Sequence, residues 1–582
     1  MMSIFNPRPA LYSGEDAENA GTVHLDGARK RAIEIGRTRL IVTAAMFTLA
    51  FCVIAGRLVD VTVLKSVAVQ HAHQSKGSDL GIERADVVDR NGVLLATSLP
   101  SVSLYAHPHE IGNKAEAAKK IAAVLPDLNG NDLQAKLQGD RAFIYLRRNL
   151  TPRQEYEINA LGIPGLYFEK AEKRIYPQSE LTAHAVGLTD LDNKGIAGIE
   201  KTFENELKVR HDPLRLSLDI RVQTILRNEL AKSMGEFHAI GATGMVMDVR
   251  TGELLAMVSL PDFNPNNLAS ATPEAMFNRA SLGDYEMGST FKLFNTAAAL
   301  DAGTSTLSST YDVTHKIKIA RFEIYDYEPE HHPLTVAEIL KVSSNIGSAR
   351  MALDLGIENQ KAFMTRMGLT RPTAIELPEV SSPLVPNPWR EINSMTIAYG
   401  HGMAVSPLHM MTGVSALVNG GLFHPATLLK HNETDQIPFQ RVIKTGTSKI
   451  MRDLMRMVVV EGTGKKADVP GYEVGGKTGT AEKNSAGGYH HKTLLSSFVS
   501  TFPVSDPKYV VLVMIDEPQG NKESFGFATA GWTAAPAVGR VIAQIGPLLG
   551  LPPSATPEEP AKDKSHVAQA PSQKGVTFAK AE

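Results

Sequence analysis

Leu40–Gly56, LIVTAAMFTLAFCVIAG, contains no charged side chain. It sits at the short end of the roughly 17–25 apolar residues that a membrane-spanning helix needs. Arg57 can snorkel at the outer end, which extends the span through Leu58 and Val59 to about residue 60. Arg29, Lys30, Arg31, Arg37 and Arg39 precede the run, whereas only Arg57 and Lys65 follow it closely. This asymmetry predicts a cytoplasmic tail over 1–39, a single anchor over 40–60, and everything afterwards on the far side. A cleaved leader is disfavoured because no small-x-small site follows the run. Phe51 is too bulky for the position before a lipid-modified Cys52.

A chain of 582 residues predicts three or four units. A net charge of −2 gives no support to a nucleic-acid partner. The single cysteine excludes an intrachain disulfide framework and a cysteine-based zinc site. Val87–Val88 and Val93–Leu95 flank Asn91–Gly92, a hairpin signal. Short helices are predicted over 115–125 and 152–161, and the 174–187 segment reads as irregular. The 61–212 region thus reads as a mixed α/β pedestal with a structural or docking role.

From residue 213 the texture changes. A strand and a helix precede a hairpin around Arg250–Thr251–Gly252, and a second strand pair with an apolar helix comes near the end. Strands at both ends with helices between them predict an α+β domain over 213–550, with a central antiparallel sheet flanked by helices. Residues 551–582, rich in Pro, Ala and charge, have too little apolar surface to bury and are expected to be disordered.

Three short elements carry the chemistry. In YEMGSTFKLFNTAAAL, apolar Phe291, Phe294, Ala297 and Leu300 recur at helical spacing, so Ser289 and Lys292 share a face at a helix start. A serine there has a base three residues away and the positive end of the helix behind it. In LTVAEILKVSSNIG, Ser343 and Asn345 fall at a break between helices; in extended chain they would project to the same side.

GYEVGGKTGTAEK (471–483) satisfies G-x-x-x-x-G-K-[ST], a phosphate loop, and also contains Lys477–Thr478–Gly479. A phosphate loop needs a strand before its first glycine and a helix at the lysine. Here a loop ending in Pro470 precedes, no helical run follows, and a strand through 477–480 is predicted. The other copy, Lys444–Thr447, is read as a loop lysine before a helix. His331–His332 and His490–His491 suggest a metal, but neighbouring positions on a strand do not face one ion, and no carboxylate spacing completes a site. No cofactor is expected.

Ser-x-x-Lys, Ser-x-Asn and Lys-Thr-Gly, in that order, are the set of penicillin-binding proteins and serine β-lactamases. With RADVVDRNGVLLATS, RIYPQ, MDVRTGELLAMVSLP, AYGHGMAVSPLHM and EGTGKKADVPGYEVGG as well, the chain resembles a class B penicillin-binding protein from the anchor to about residue 550.

That resemblance implies a peptidoglycan D,D-transpeptidase, active outside the inner membrane on stem peptides ending in D-Ala-D-Ala and acylated by β-lactams. Ser289 would be the nucleophile, Lys292 its base and Ser343 a proton shuttle. Asn345 would bind the donor peptide, and Lys477, Thr478, Gly479 and Thr480 would line the carboxylate site. Backbone N–H groups of Ser289 and Thr480 would form the oxyanion hole. The Tyr399–Gly400–His401–Gly402 segment and TAGWTAAP look closer to the septal, cell-division type than to the elongation type. The division type implies a lipid-linked glycan polymerase as partner. A β-lactamase would need a group to activate water, and no Glu-bearing motif supplies one; a non-enzymatic penicillin sensor or scaffold is the other alternative. Ala85 departs from the glycine usual at its position, which questions the backbone turn beside Arg84.

Overall fold

The computed structural model describes residues 44–52, 54–55, 84–319, 322–485 and 488–554. The chain divides into two compact units, 1–81 and 82–582. In the first unit the described residues are helical and exposed. Among the described residues no helix is long and apolar enough to cross a membrane. The rest of the expected anchor, the 1–39 tail and the segment from 555 onward lie outside the described residues.

The second unit begins with the expected hairpin. β1 (Val87–Val88) pairs antiparallel with β2 (Leu94–Ala106). β2 also pairs with β3 (Ile144–Leu150) and, from Thr97 to Ala106, with β4 (Leu166–Ile175). Helices α1 (Lys114–Val124), α2 (Gly130–Gln138) and α3 (Pro152–Ala160) bury Ile121, Leu133, Leu137 and Ile158 against Leu104, Ile144 and Leu146. Thr151 starts α3 with a reciprocal capping box to Gln154. The segment read as irregular ends β4 and then forms a 3-10 turn and a short helix, Ala183–Val186.

A buried ionic cluster lies where this pedestal begins. Glu200, fully buried, accepts from Arg84 Nε at 2.6 Å and from Arg174 Nε at 2.7 Å, and Arg84 also binds Glu204. Ala85 is buried, and its N–H donates to Leu207 O at 2.7 Å, so the turn beside Arg84 is hydrogen-bonded with alanine in place. β5 (Leu214–Arg215) then runs parallel to β1.

The larger sheet has the order β8-β9-β10-β6-β7, antiparallel throughout. β6 (Gly241–Asp248) and β7 (Leu254–Leu260) come early in the chain. β8 (Gly475–Ser485), β9 (Gly488–Phe502) and β10 (Tyr509–Asp516) come late. Alternation along β10 separates two layers. Val511, Val513 and Ile515 pack with α4 (Ile220–Glu236) and α10 (Ala534–Leu548). Val510, Leu512 and Met514 face the other layer, built on α5 (Lys292–Ala302), α8 (Pro407–Val418) and α9 (Thr445–Val460). Two short helices of that layer, α6 (Val336–Val342) and α7 (Asn345–Leu355), meet end to end. Helix α9 starts at Thr445, with Lys444 as its N-cap residue, and buries Met451, Leu454, Met455 and Val458. Fully burying one such aliphatic side chain contributes about 1.5–3 kcal/mol, so these layers can carry buried polar groups between them.

Candidate active site

Ser289 lies in a 3-10 turn, Gly288–Phe291, that runs directly into α5. Positions three apart in this continuous helical segment share a face, and Lys292 Nζ stands 2.8 Å from Ser289 Oγ.

At the α6–α7 junction the structure corrects the extended geometry expected for Ser343–Asn345. Ser343 is left-handed (φ 65°, ψ 42°) and ends α6; Ser344 caps α7, accepting from Gly347 N–H at 2.9 Å. Only Ser343 and Ser344 separate the helices, and Ser344 is extended as the α7 cap, so Ser343 makes the reversal. That reversal aims three oxygens at Lys292 Nζ: Ser343 O at 2.6 Å, Ser343 Oγ at 3.1 Å and Asn345 Oδ1 at 2.7 Å. Asn345 Nδ2 donates to Tyr325 O at 3.0 Å, which fixes the amide orientation.

Lys477 comes from β8, whose residues 475–482 pair with 501–494 of β9. KTG is therefore an inner stretch of strand, and the phosphate-loop geometry is absent. Lys477 Nζ donates to Ser343 Oγ at 2.9 Å and to Thr478 O at 3.2 Å. A Cβ on Gly479 would lie 2.6 Å from both Met287 O and Ser497 Oγ, so only glycine lets β8 approach the serine turn. Thr478 Oγ1 meets Thr463 Oγ1 at 2.7 Å, and Thr480 Oγ1 accepts from Ala530 N–H at 3.1 Å. On the other side of Gly288, a Cβ on Gly400 (φ +89°) would lie 1.9 Å from Gly288 O.

Both lysines are fully buried. Burial, and then the positive charge of Lys477, hold Lys292 well below the usual lysine range, with Asp326 pulling the other way. Burial pushes Lys477 down to about 7. The lowered pKa favours the neutral amine, and the surrounding acceptors accommodate it. Ser343 O and Asn345 Oδ1 can only accept, so they take its two N–H bonds. In the neutral form the lone pair then faces the hydroxyls and the Ser289 hydroxyl can donate to it; in the charged form the third N–H donates to Ser289 Oγ.

The penicillin binding protein transpeptidase domain family matches residues 242–538, and the penicillin-binding protein dimerisation domain family matches 81–219. The probable peptidoglycan D,D-transpeptidase FtsI of Caulobacter vibrioides is 40% identical over 530 residues, 88% of this chain and 89% of that one. The chain is a class B penicillin-binding protein. Among penicillin-binding proteins of this class it is FtsI-like, a serine-type peptidoglycan acyltransferase. The peptidoglycan D,D-transpeptidase FtsI of Escherichia coli K12 is 29% identical, covering 84% of this chain and 87% of its own length. The fold is also that of penicillin binding protein 3 from Mycobacterium tuberculosis, solved with aztreonam, with a TM-score of 0.65 at 22% identity over 82% of this chain and 99% of that one.

Sequence reasoning missed two residues of this penicillin-binding protein's cleft. Asp326 sits behind the Ser-x-Asn junction, and Thr463 faces Thr478 from the GTGKK turn. A lone acid in YDYEPEHHP carries no periodic signal. Thr463 lies in a Gly-rich turn whose sequence carries no sign of the strand it faces. His331–His332 follow the Asp326 loop and His490–His491 fall on β9; among the described residues no group of His, Cys, Asp and Glu is arranged to hold a metal ion.

Proposed function

We propose that the chain cross-links peptidoglycan stem peptides at the division septum, through an acyl-enzyme on Ser289. One observation carries this reading: a buried amine, Lys292, contacts the Ser289 hydroxyl, and it shares the Ser343 hydroxyl with a second buried amine, Lys477.

In the acylation step Ser289 Oγ bonds to the penultimate D-Ala carbonyl carbon as its proton passes to Lys292 Nζ. The oxyanion is held by the backbone N–H groups of Ser289 and Thr480; losing one such donor typically costs ~10²–10³ in rate. The terminal carboxylate lies against Lys477, Thr478 and Thr480, with Gly479 leaving room, and the Asn345 side chain binds the donor peptide backbone. Ser343 gives its proton to the departing D-Ala nitrogen and is reprotonated from the lysine pair, so the C–N bond breaks with a neutral amine leaving. An acceptor amine from a second stem peptide retraces the path, and its proton returns through Ser343. A β-lactam, whose amide is part of a ring, opens on Ser289 without losing a leaving group from the site.

The uncharged 40–60 run and its flanking arginines support an anchor in the inner membrane, an N-terminal tail in the cytoplasm and a periplasmic catalytic domain. The 61–212 pedestal, with 213–550 as the catalytic domain, offers docking surface for a lipid-linked glycan polymerase. The names of the curated relatives support the division role over the elongation role.

The deciding experiment labels membranes with a fluorescent penicillin. Wild type forms a long-lived adduct, and Ser289→Ala and Lys292→Ala form none. Complementation by Ser289→Ala would make the chain a scaffold, and rapid turnover of the adduct would make it a β-lactamase. A tagged protein at midcell supports the septal role; lateral-wall signal opposes it.

A further inference from the structure

Asp326 belongs to none of the three motifs, yet its carboxylate is nine-tenths buried directly behind the Ser-x-Asn junction. Oδ2 accepts from Ser344 Oγ at 2.6 Å, and Oδ1 accepts from the N–H groups of Asn345 and of Ile346, the latter at 3.1 Å. These N–H groups open α7, an 11-residue helix, and the first turn of a helix leaves its N–H groups without intrahelical partners. A buried carboxylate there satisfies two of them and meets the positive end of the helix.

Two consequences converge on one atom. Clamping Ser344, Asn345 and Ile346 leaves the chain reversal to Ser343, the residue whose left-handed backbone points its carbonyl and hydroxyl at Lys292. The same loop places Tyr325 O on Asn345 Nδ2, which turns Asn345 Oδ1 toward that amine. The groups around Lys292 are then the hydroxyls of Ser289 and Ser343, the Asn345 amide, Lys477 from β8 and Asp326 from the loop before α6. Asp326 is the anion in this set, set against two amines.

We propose that Asp326 is a positioning residue for acyl transfer: it locks Ser343 and Asn345 onto Lys292 and supplies the negative charge that lets the buried lysine pair hold one proton. Without that proton Lys477 could not grip a carboxylate; with two, Lys292 could not accept one from Ser289. The attraction of Asp326 for a proton on Lys292 agrees with this balance.

The proposal rests on the acyl-transfer reading, so the experiment tests the two separately. The full chain is titrated with fluorescent penicillin from acid to alkaline pH, as wild type, Ser289→Ala, Asp326→Asn and Asp326→Ala, with unfolding monitored for each. Adduct on wild type and none on Ser289→Ala establishes the reaction independently of Asp326. In Asp326→Asn the amide oxygen still accepts the two N–H bonds and Ser344 turns its hydroxyl to accept from the amide NH₂, so the shape survives and only the charge is lost. The expected result is an acid limb moved to lower pH, because Lys292 binds its proton less tightly, with a plateau within about tenfold of wild type. Asp326→Ala frees the junction as well, and its plateau falls by about 10², the scale of a misplaced catalytic group. A purely structural role lowers the folded fraction and leaves the limb in place. An acid limb in Asp326→Asn that coincides with wild type, or a wild-type plateau in Asp326→Ala, overturns the proposal.

Discussion

Lys292 and Lys477 are bridged by one hydroxyl: Ser343 Oγ lies 3.1 Å from the amine of the first and 2.9 Å from that of the second. Two amines this close, both desolvated, cannot both stay charged. The proton economy of the site follows from that relationship.

The rate of acylation by penicillin should therefore be bell-shaped in pH. As the proposed base Lys292 must be neutral, and it is held well below the usual lysine range, so its limb falls on the acid side, and activity should be lost as pH drops through its lowered pKa. Lys477 must be charged and is pushed to about 7, so in the free enzyme the alkaline limb begins near neutrality. A bound carboxylate restores the Lys477 proton and moves that limb upward. Stopped-flow acylation across pH, with and without a saturating substrate-like carboxylate, checks both limbs; a flat profile contradicts the assignment.

Burying these amines also bears on stability. A lysine depressed on folding costs nothing above its unfolded pKa; the cost grows as pH falls and is complete below its folded pKa. For Lys477 that window runs from about 10.4 in the unfolded chain down to about 7 in the folded protein. Lys477→Met should abolish acylation yet raise Tm, by about 2–4 °C per kcal/mol recovered. The difference from wild type should be larger at pH 6 than at pH 10, as thermal melts of the two proteins would show.

Ser343→Ala removes the shared hydroxyl and keeps the backbone that carries Ser343 O. Penicillin, which sheds no leaving amine, should still acylate, more slowly by about 10²-fold, the range of a lost general acid–base group. Transfer from a D-Ala-D-Ala peptide, which must protonate its leaving nitrogen, should fall further. Comparing the two rates in one preparation tests the shuttle role.

Gly400→Ala places a methyl carbon where 1.9 Å separates it from Gly288 O, at a φ of +89°. The serine turn must move, and acylation should drop by about 10² while the distant pedestal stays folded. A crystal structure or circular dichroism with penicillin labelling separates misplacement from unfolding.

In the pedestal, Glu200→Ala leaves Arg84 and Arg174 buried without their shared anion. Breaking a buried pair in this way costs about 3–5 kcal/mol. Urea unfolding should show an early transition in the variant, and Glu200→Gln should recover part of the loss.

Local physics was legible in the sequence and long-range geometry was not. Two short apolar runs around an Asn-Gly turn predicted the first hairpin, the helices expected over 115–125 and 152–161 are α1 and α3 within a residue, and apolar spacing placed a helix after Ser289. Ser289, Lys292, Ser343, Asn345 and Lys477, which the structure brings together, could be picked out because each lies in a short element with a fixed chemical order. The left-handed Ser343 was invisible because serine has no intrinsic preference for that region; the head-on meeting of α6 and α7 imposes it. Asp326 was missed for the same reason: its role comes from a helix start that the fold brings behind it.

β10 is the middle strand of the catalytic sheet, yet it is among the last segments to be synthesised, and it joins β9 to the early β6. A chain that stops before Tyr509 lacks the strand that links the β8–β9 pair to the β6–β7 hairpin, so the two halves of the sheet stay unjoined. Copies truncated there should therefore not be acylated by penicillin, and a stop codon as late as position 508 should behave as a null allele. The order of strands acts as a proofreading step on completeness.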